Sequence, residues 1–452
     1  MNQSPTAENM SRRVWQLAWP MILSNISVPL LGAVDTAILG HQPSPVYLSA
    51  VAVGASAISM LLWAFGFLRM GTTGLVARSA ASPDGGIGWL LRAMWMALLL
   101  GVALMVLATP LLGTIVRWMN ASAAAAPHAE AYLQIRLFSA PLVLANFALL
   151  GFFIGRQDSR APLLILLAAN LLNILLDVVF IVGLGLGARG AALATVCADT
   201  TAFAFGIYLL RGLEEGIYRK MLARVRDARL YPWVNAAPWR ELLSINVDLF
   251  LRTCLLLFAL AFFTAQGAAQ GDAILAANAI LLQLLMITSY ALDGFAHASE
   301  ALVGDAVGRK SPELFRATVR SAAHWALGSA LLVTAVLLPG RDWILPLFTD
   351  LKPVLAEAGS VYPWLCALPL LAVWCYLLDG VFIGAGRSRE MRDTMFVATV
   401  LVFLPAWWLT RPWGNHGVWF SLFLWISARS AGLLLYFRYY NQNNFWTTAS
   451  PR

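Results

Sequence analysis

The sequence is poor in charge. Of its 452 residues only 12% are Asp, Glu, Lys or Arg, while 60% are hydrophobic. A soluble domain carries roughly 25% charged residues, so half that density leaves a globule of this size without a polar coat. The surplus apolar surface must face lipid, and the chain reads as an integral membrane protein. Histidine is scarce too: the five (His41, His128, His297, His324 and His416) are scattered. No His-Glu-x-x-His run occurs, and no Gly-x-Ser-x-Gly lies within an apolar segment. These absences argue against an intramembrane enzyme. The four cysteines, Cys197, Cys254, Cys366 and Cys375, stand in apolar stretches without CxxC spacing. They read as small hydrophobes, not as disulfide or metal partners. No cleavable leader is expected, because residues 1–13 are polar and the apolar run after them is too long for one.

What is present is a series of apolar segments of the length that crosses a bilayer, about 20 residues each. They fall near 14–39, 48–68, 88–116, 127–155, 161–184 and 188–210, then near 239–266, 273–300, 317–340, 358–385, 393–410 and 417–437. The connectors, such as "HQPSP", "ASPDGG" and "LGLGARG", are short and rich in Gly and Pro, which marks turns and leaves no room for a soluble domain. The net charge of +8 does not point to nucleic acid, because the cations are distributed by loop. With the N-terminus inside, the inner loops and tails hold 23 Lys and Arg, Arg12 through Arg452, and the outer loops five: Arg117, Arg189, Arg341, Lys352 and Arg411. That bias predicts cytoplasmic termini and an even number of spans. The stretch 211–241, with seven Lys and Arg from Arg211 to Arg240, reads as a connector along the anionic inner leaflet. The expected organisation is a first lobe over 1–212, the connector over 213–238 and a second lobe over 239–452.

The lobes resemble each other. "GFFIGRQDSR" at 151–160 and "GVFIGAGRSR" at 380–389 agree at six of ten positions, 229 residues apart. Gly187 and Gly190 answer to Gly414 and Gly417 at a separation of 227, and the pattern around "LSAVAVG" returns around "ILAANAI". Six spans per half make a parallel repeat, an arrangement that places a substrate cavity between two lobes.

An ionisable residue within a span costs about 2.5–3.5 kcal/mol on insertion scales and points to function. The carboxylates in question are Asp35, Asp177, Asp199, Asp248, Asp293, Glu300 and Asp379, and the cations Arg136, Arg252 and His324. Asp35 lies 21 residues into an outward-running span, and Asn173 and Asp177 lie 12 and 16 into another. At 1.5 Å per residue these fall in the outer half. Asn173 and Asp177 share a helix face, and Thr195 reaches a similar depth from the next, inward-running span. The repeat places Phe262, Ala406 and Leu422 opposite Asp35, Asp177 and Thr195. The second half keeps the fold with apolar groups there, so the polar set of the first half serves function. Two neighbouring carboxylates in low dielectric cannot both stay ionised cheaply. They suit proton exchange, or, with the Asn and Thr oxygens, a bare monovalent cation. Asp293, Glu300 and Asp379 lie toward the inner ends of their spans, where Arg316 and Arg387 are candidate counter-ions. Arg136 is read as snorkelling or lining the cavity, and His324 as a satisfied polar contact.

The chain resembles the multidrug and toxic compound extrusion (MATE) family, in its DinF-like branch. The resemblance covers nearly the whole chain, through "GAVDTAILGH", "LRMGTTGLVARSA", "APLVLANFALLGFFIGRQDSRAPL", "NLLNILLDVVFIVGLGLGARGAALAT" and "WCYLLDGVFIGAGRSREMR". It implies an all-α membrane protein with twelve helices in two pseudo-symmetric six-helix lobes, whose cavity opens to each side in turn. It implies export of amphiphilic, cationic drugs in exchange for protons, with sodium as the other ion the same oxygens would accept, and no further cofactor. The family's cation motif matches Asp35, Asn173, Asp177 and Thr195, and the proline at which its first helix bends matches Pro20. Asp293 and Asp379 remain candidate secondary acidic sites. The expected setting is a bacterial inner membrane, with the chain a monomer. A flippase for lipids or lipid-linked sugars shares the architecture and stands as the alternative, although its cavity would be cationic where this set is acidic.

Overall fold

The computed structural model describes residues 7–40, 44–443 and 446; His41 and Arg452, counted above, lie outside them. Every element among the described residues is helical. We number the helices α1 (Ala7–Gly40), α2 (Pro45–Arg78), α3 (Ile87–Trp118), α4 (Ala126–Phe138), α5 (Ala140–Gly155), α6 (Arg160–Gly183), α7 (Gly187–Leu210), α8 (Ile217–Arg226), α9 (Ala236–Ala268), α10 (Asp272–Gly308), α11 (Pro312–Leu347), α12 (Lys352–Gly384), α13 (Ser388–Trp413) and α14 (Asn415–Gln442). Ten of these are long and apolar enough to cross a membrane, and α4 and α5, bent by 50° at Ser139, make an eleventh crossing as a pair. The twelfth is α1, whose segment 14–31 carries no charged residue. The fold is an all-α, twelve-span membrane architecture, and the helices run several residues past the apolar segments at most ends. Arg69 and Arg78, assigned to a loop from the sequence, lie within α2.

Two compact units divide the chain: Leu23–Leu243, and Met1–Ile22 with Ser244–Arg452. The division falls inside α1, just after Pro20, so one helix supplies its first part to the second unit and the rest to the first. Proline lacks the amide hydrogen that would bind the preceding turn, which weakens α1 at this point. The connector helix α8 belongs to the first unit, where Ile217 and Leu230 join a core built on Leu90, Leu149, Phe152 and Ile165. In the second unit the start of α1 packs Met10, Val14 and Ala18 against Phe295 and the alanine stripe Ala322, Ala326 and Ala330 of α11.

The repeat is visible in the packing. A Cβ added to Gly151 would lie 2.5 Å from the Arg69 carbonyl, and one on Gly155 2.8 Å from that of Thr73. In the second unit the corresponding pair, Gly380 and Gly384, would meet the carbonyls of Ala296 and Glu300 at 2.2 and 2.5 Å. Each half thus seats its fourth span on its second through a small-xxx-small contact that no side chain could share. Large side chains on the other faces, such as Leu107, Leu332 and Leu409, are two-thirds exposed, as lipid-facing residues are.

Candidate functional site

The four polar residues predicted on three spans come together in the first unit. Asp177 ends the regular part of α6, and a π-helical turn, Val178–Gly183, follows it. Such turns recur at functional positions because they rotate the register of a helix. The reversal into α7 uses Gly185 and Gly187 at φ of 66° and 53°, a conformation glycine adopts without strain. A Cβ on Gly187 would also strike the Tyr47 ring at 2.8 Å. The tight turn keeps Thr195 beside Asn173.

The carboxyl groups of Asp35 and Asp177 are in hydrogen-bond contact. With its amide turned so that both ends are satisfied, Asn173 donates from nitrogen to Asp177 Oδ2 at 3.0 Å. Its oxygen then meets Thr195 Oγ1 at 3.2 Å and the Thr195 amide nitrogen at 3.1 Å. One turn earlier on α6, Asn170 Nδ2 donates to Ser27 Oγ of α1 at 3.2 Å. The two polar contacts, eight residues apart on α1 and seven on α6, align these helices side by side. Asp35 Oδ1 and Asp177 Oδ1 are buried without a hydrogen-bond partner among the described residues. Two carboxyl groups in this position repel unless a proton or a cation lies between them. Oxygens of this kind accept protons and also ligate bare monovalent cations.

Two further residues flank the set. Tyr132 on α4 is 5% exposed and stands within the electrostatic reach of Asp35, Asp177 and Arg136. Arg136 in turn meets Asp199 Oδ2 at 2.5 Å, with Ser139 3.0 Å from each. This corrects the reading of Arg136 as a snorkelling or cavity-lining cation: it is buried and paired. The pair is one helical turn beyond Tyr132 on α4 and beyond Thr195 on α7. Tyr132 escaped notice because a tyrosine in an amphipathic stretch is ordinary; its spacing of four from Arg136 was the available signal.

The acids of the second unit are arranged differently. Asp379 on α12 is held by Arg252 of α9 and by Arg429 of α14, the latter at 3.2 Å. Its partners are therefore neither Arg316 nor Arg387, and as a secondary site it is already committed to two guanidinium groups. Asp293 lies within reach of the Arg429 charge. Glu300, 1% exposed, has His297 Nδ1 3.5 Å from Oε2. Asp248 accepts from Arg392 at 2.6 Å and from Ser388 at 3.0 Å. His324 contacts the Arg320 carbonyl at 2.6 Å. Where the repeat sets Phe262 opposite Asp35, its ring packs on Trp407 at 4.8 Å and Phe403 at 5.7 Å.

A twelve-span helical fold with one unit holding a carboxyl pair within its spans and the other the apolar residues Phe262 and Ala406 at the same repeat positions defines a multi-pass membrane transporter. The MatE family model matches residues 20–179 and again 249–408, starting 229 residues apart (249 less 20), the offset of the two quoted segments. The chain belongs to the MATE family, whose members are transporters and not enzymes. It is 40% identical to "DNA damage-inducible protein F" of Escherichia coli, over 97% of this chain and 94% of that one. It is 27% identical to "Probable multidrug resistance protein NorM" of Xanthomonas axonopodis, over 93% and 92%. Among solved structures, a MATE protein in the bent conformation superposes with a TM-score of 0.85 at 20% identity, covering 99% of this chain and all of that one. A variant of the Vibrio cholerae MATE transporter VcmN gives 0.82 at 19% identity, covering 97% and 99%. These two likenesses bear on the fold alone.

Proposed function

We propose that this transporter exports amphiphilic, cationic small molecules by cation antiport, with the proton as the coupling ion and sodium as the ion that would compete for the same oxygens. Asp35, Asn173, Asp177 and Thr195 form the coupling site. Facing outward, the site takes up protons at the carboxyl pair, which removes the repulsion between Asp35 and Asp177 and lets the second part of α1 reset about Pro20. The drug leaves as the acids are neutralised; on return to the inward-facing state the protons leave and a lipophilic cation can be drawn to the restored charge. The reading extends to a monomer in a bacterial inner membrane with both termini cytoplasmic.

The observation that carries this reading is the contact between Asp35 and Asp177 in a unit whose repeat partner fills the same two positions with the apolar residues Phe262 and Ala406. A structural role would be expected in both halves. Drug efflux from everted vesicles under an imposed proton gradient, with and without sodium, tests it. Asp35→Asn should abolish gradient-driven efflux; efflux at the wild-type rate would remove the carboxyl pair from the mechanism.

A further inference from the structure

In the second unit, outside the repeat's carboxyl and aromatic positions, a groove of about 540 Å³ runs between the start of α13 and the end of α14. Its apolar wall includes Val397 and Leu435, 46% and 66% exposed, which is the exposure of lipid-facing residues. Its floor is narrow because Gly432 lets α14 approach α13: a Cβ there would lie 2.6 Å from Thr394 Cγ2. Thr394 itself is 6% exposed, lines the groove, and has no hydrogen-bond partner for its hydroxyl among the described residues.

Asp393 lines the polar end of the groove, and Arg389 lies one helical turn before it on α13, just outside the lining. Asp393 Oδ1 is held by Arg392 at 2.7 and 2.9 Å. Asp393 Oδ2 faces the Arg389 Nε at 3.8 Å, beyond hydrogen-bond distance, and the Arg389 side chain is 77% exposed. A ligand that satisfies this end needs a cation with N–H donors for Asp393 Oδ2 and an anion for Arg389, adjacent to each other. Its body must be apolar to lie along Val397 and Leu435, with an acceptor for the Thr394 hydroxyl where the two parts join. We propose that this groove binds a zwitterionic aminophospholipid, a phosphatidylethanolamine, with its ammonium on Asp393, its phosphate on Arg389, an ester oxygen on Thr394 and one acyl chain along the apolar wall. The volume accommodates a headgroup and the first part of one chain. A choline headgroup has no N–H to offer the carboxylate, and a glycerol headgroup has no cation to offer it.

The test uses the purified full-length chain in detergent and three probes with identical acyl chains: phosphatidylethanolamine, phosphatidylcholine and phosphatidylglycerol. Lipid retained on the protein is counted by native mass spectrometry, and the unfolding midpoint is measured with each lipid. Phosphatidylethanolamine should be retained about tenfold over phosphatidylcholine, the discrimination that one charge-assisted hydrogen bond provides, and should raise the midpoint most. Asp393→Asn should remove the preference. Because Asp393 also holds Arg392, Val397→Trp serves as a second variant: it fills the groove from an exposed wall without touching an ion pair, and should release the lipid. Equal retention of the three lipids, preference for phosphatidylglycerol, or a preference that survives Val397→Trp would each overturn the assignment. None of these readings depends on drug transport, so they stand apart from the coupling proposal.

Discussion

The ring of Phe262 stands edge-on to Trp407, their centroids 4.8 Å apart at 87°, in the place that the first half of the repeat gives to an aspartate. Edge-to-face rings contribute about 0.5–1.5 kcal/mol beyond the area they bury. The second half thus keeps its helices together at this point by packing alone, while the first half accepts the cost of charge.

That contrast makes opposite predictions for the two repeat partners. Phe262→Ala should lower stability by about 3 kcal/mol through loss of ring packing and the resulting cavity, with efflux per folded molecule unchanged. Asp35→Asn should leave the unfolding midpoint equal or higher and abolish coupled efflux. Thermal unfolding and vesicle efflux on the same preparations check both; a Phe262→Ala protein that is stable but uncoupled would contradict the assignment of roles.

Asn173 joins Asp177 to Thr195. Asn173→Leu leaves the ionised Asp177 carboxylate without its amide donor and should tighten proton binding at the site about tenfold, since an unmade hydrogen bond to a buried polar group costs about 1–3 kcal/mol. Proton release on drug binding, followed as a function of pH in the purified protein, reports the change. An unshifted profile would place the amide outside the site.

Asp379→Asn leaves Arg252 and Arg429 buried without their carboxylate, at a cost of about 3–5 kcal/mol. Adding Arg252→Gln and Arg429→Gln should restore most of that loss by removing the unpaired charges. The pH profile of efflux in the triple variant should match wild type; a displaced profile would mean that Asp379 takes part in coupling.

Asp84 sits in the turn between α2 and α3, outside the spans. Burial pushes its carboxyl up, but hydrogen bonds from Ser82 at 2.8 Å and the Gly86 amide at 3.2 Å, with Arg224 of the connector at 3.3 Å, outweigh this and hold it below its ordinary value of 3.8. A carboxyl held low in the folded state adds stability that is fully present above its ordinary value and fades as the pH falls through the lowered one. Asp84→Asn should therefore cost about 1 kcal/mol at neutral pH, a modest figure because the pair is partly exposed, and nothing once the solution is acidic enough to protonate Asp84 in both states. Unfolding midpoints across that range measure it; a deficit that persisted at the acid end would mean the loss is steric.

Pro20→Ala restores the missing hydrogen bond in α1. The helix should gain stability and efflux should fall, because α1 then resists resetting near the point where it passes from one unit to the other. Wild-type efflux in a stabilised variant would remove Pro20 as the hinge.

The readable parts of this protein were those where one segment carries its own signal. Asp35 is conspicuous in "LLGAVDTAILGH" because a carboxylate there has no local reason to exist. Gly151 and Gly380 stand out because the same spacing occurs twice. Arg136 was misjudged because its carboxylate, Asp199, is 63 residues away. The partners of Asp379 were missed for the same reason, Arg252 lying 127 residues before it and Arg429 50 after it.

By itself the sequence determined that the chain lives in a bilayer, that it crosses in twelve segments built as a duplication, and that one half alone keeps a polar set opposite apolar residues in the other. These follow from a penalty that lipid imposes on each segment separately, so that composition over about 20 residues is enough to read it. Only the tertiary structure decided which charges face each other: Asp35 with Asp177, Arg136 with Asp199, Asp379 with two arginines. A Coulomb interaction depends on the distance between side chains, and for helices far apart in the chain that distance is set by packing and not by spacing along the sequence.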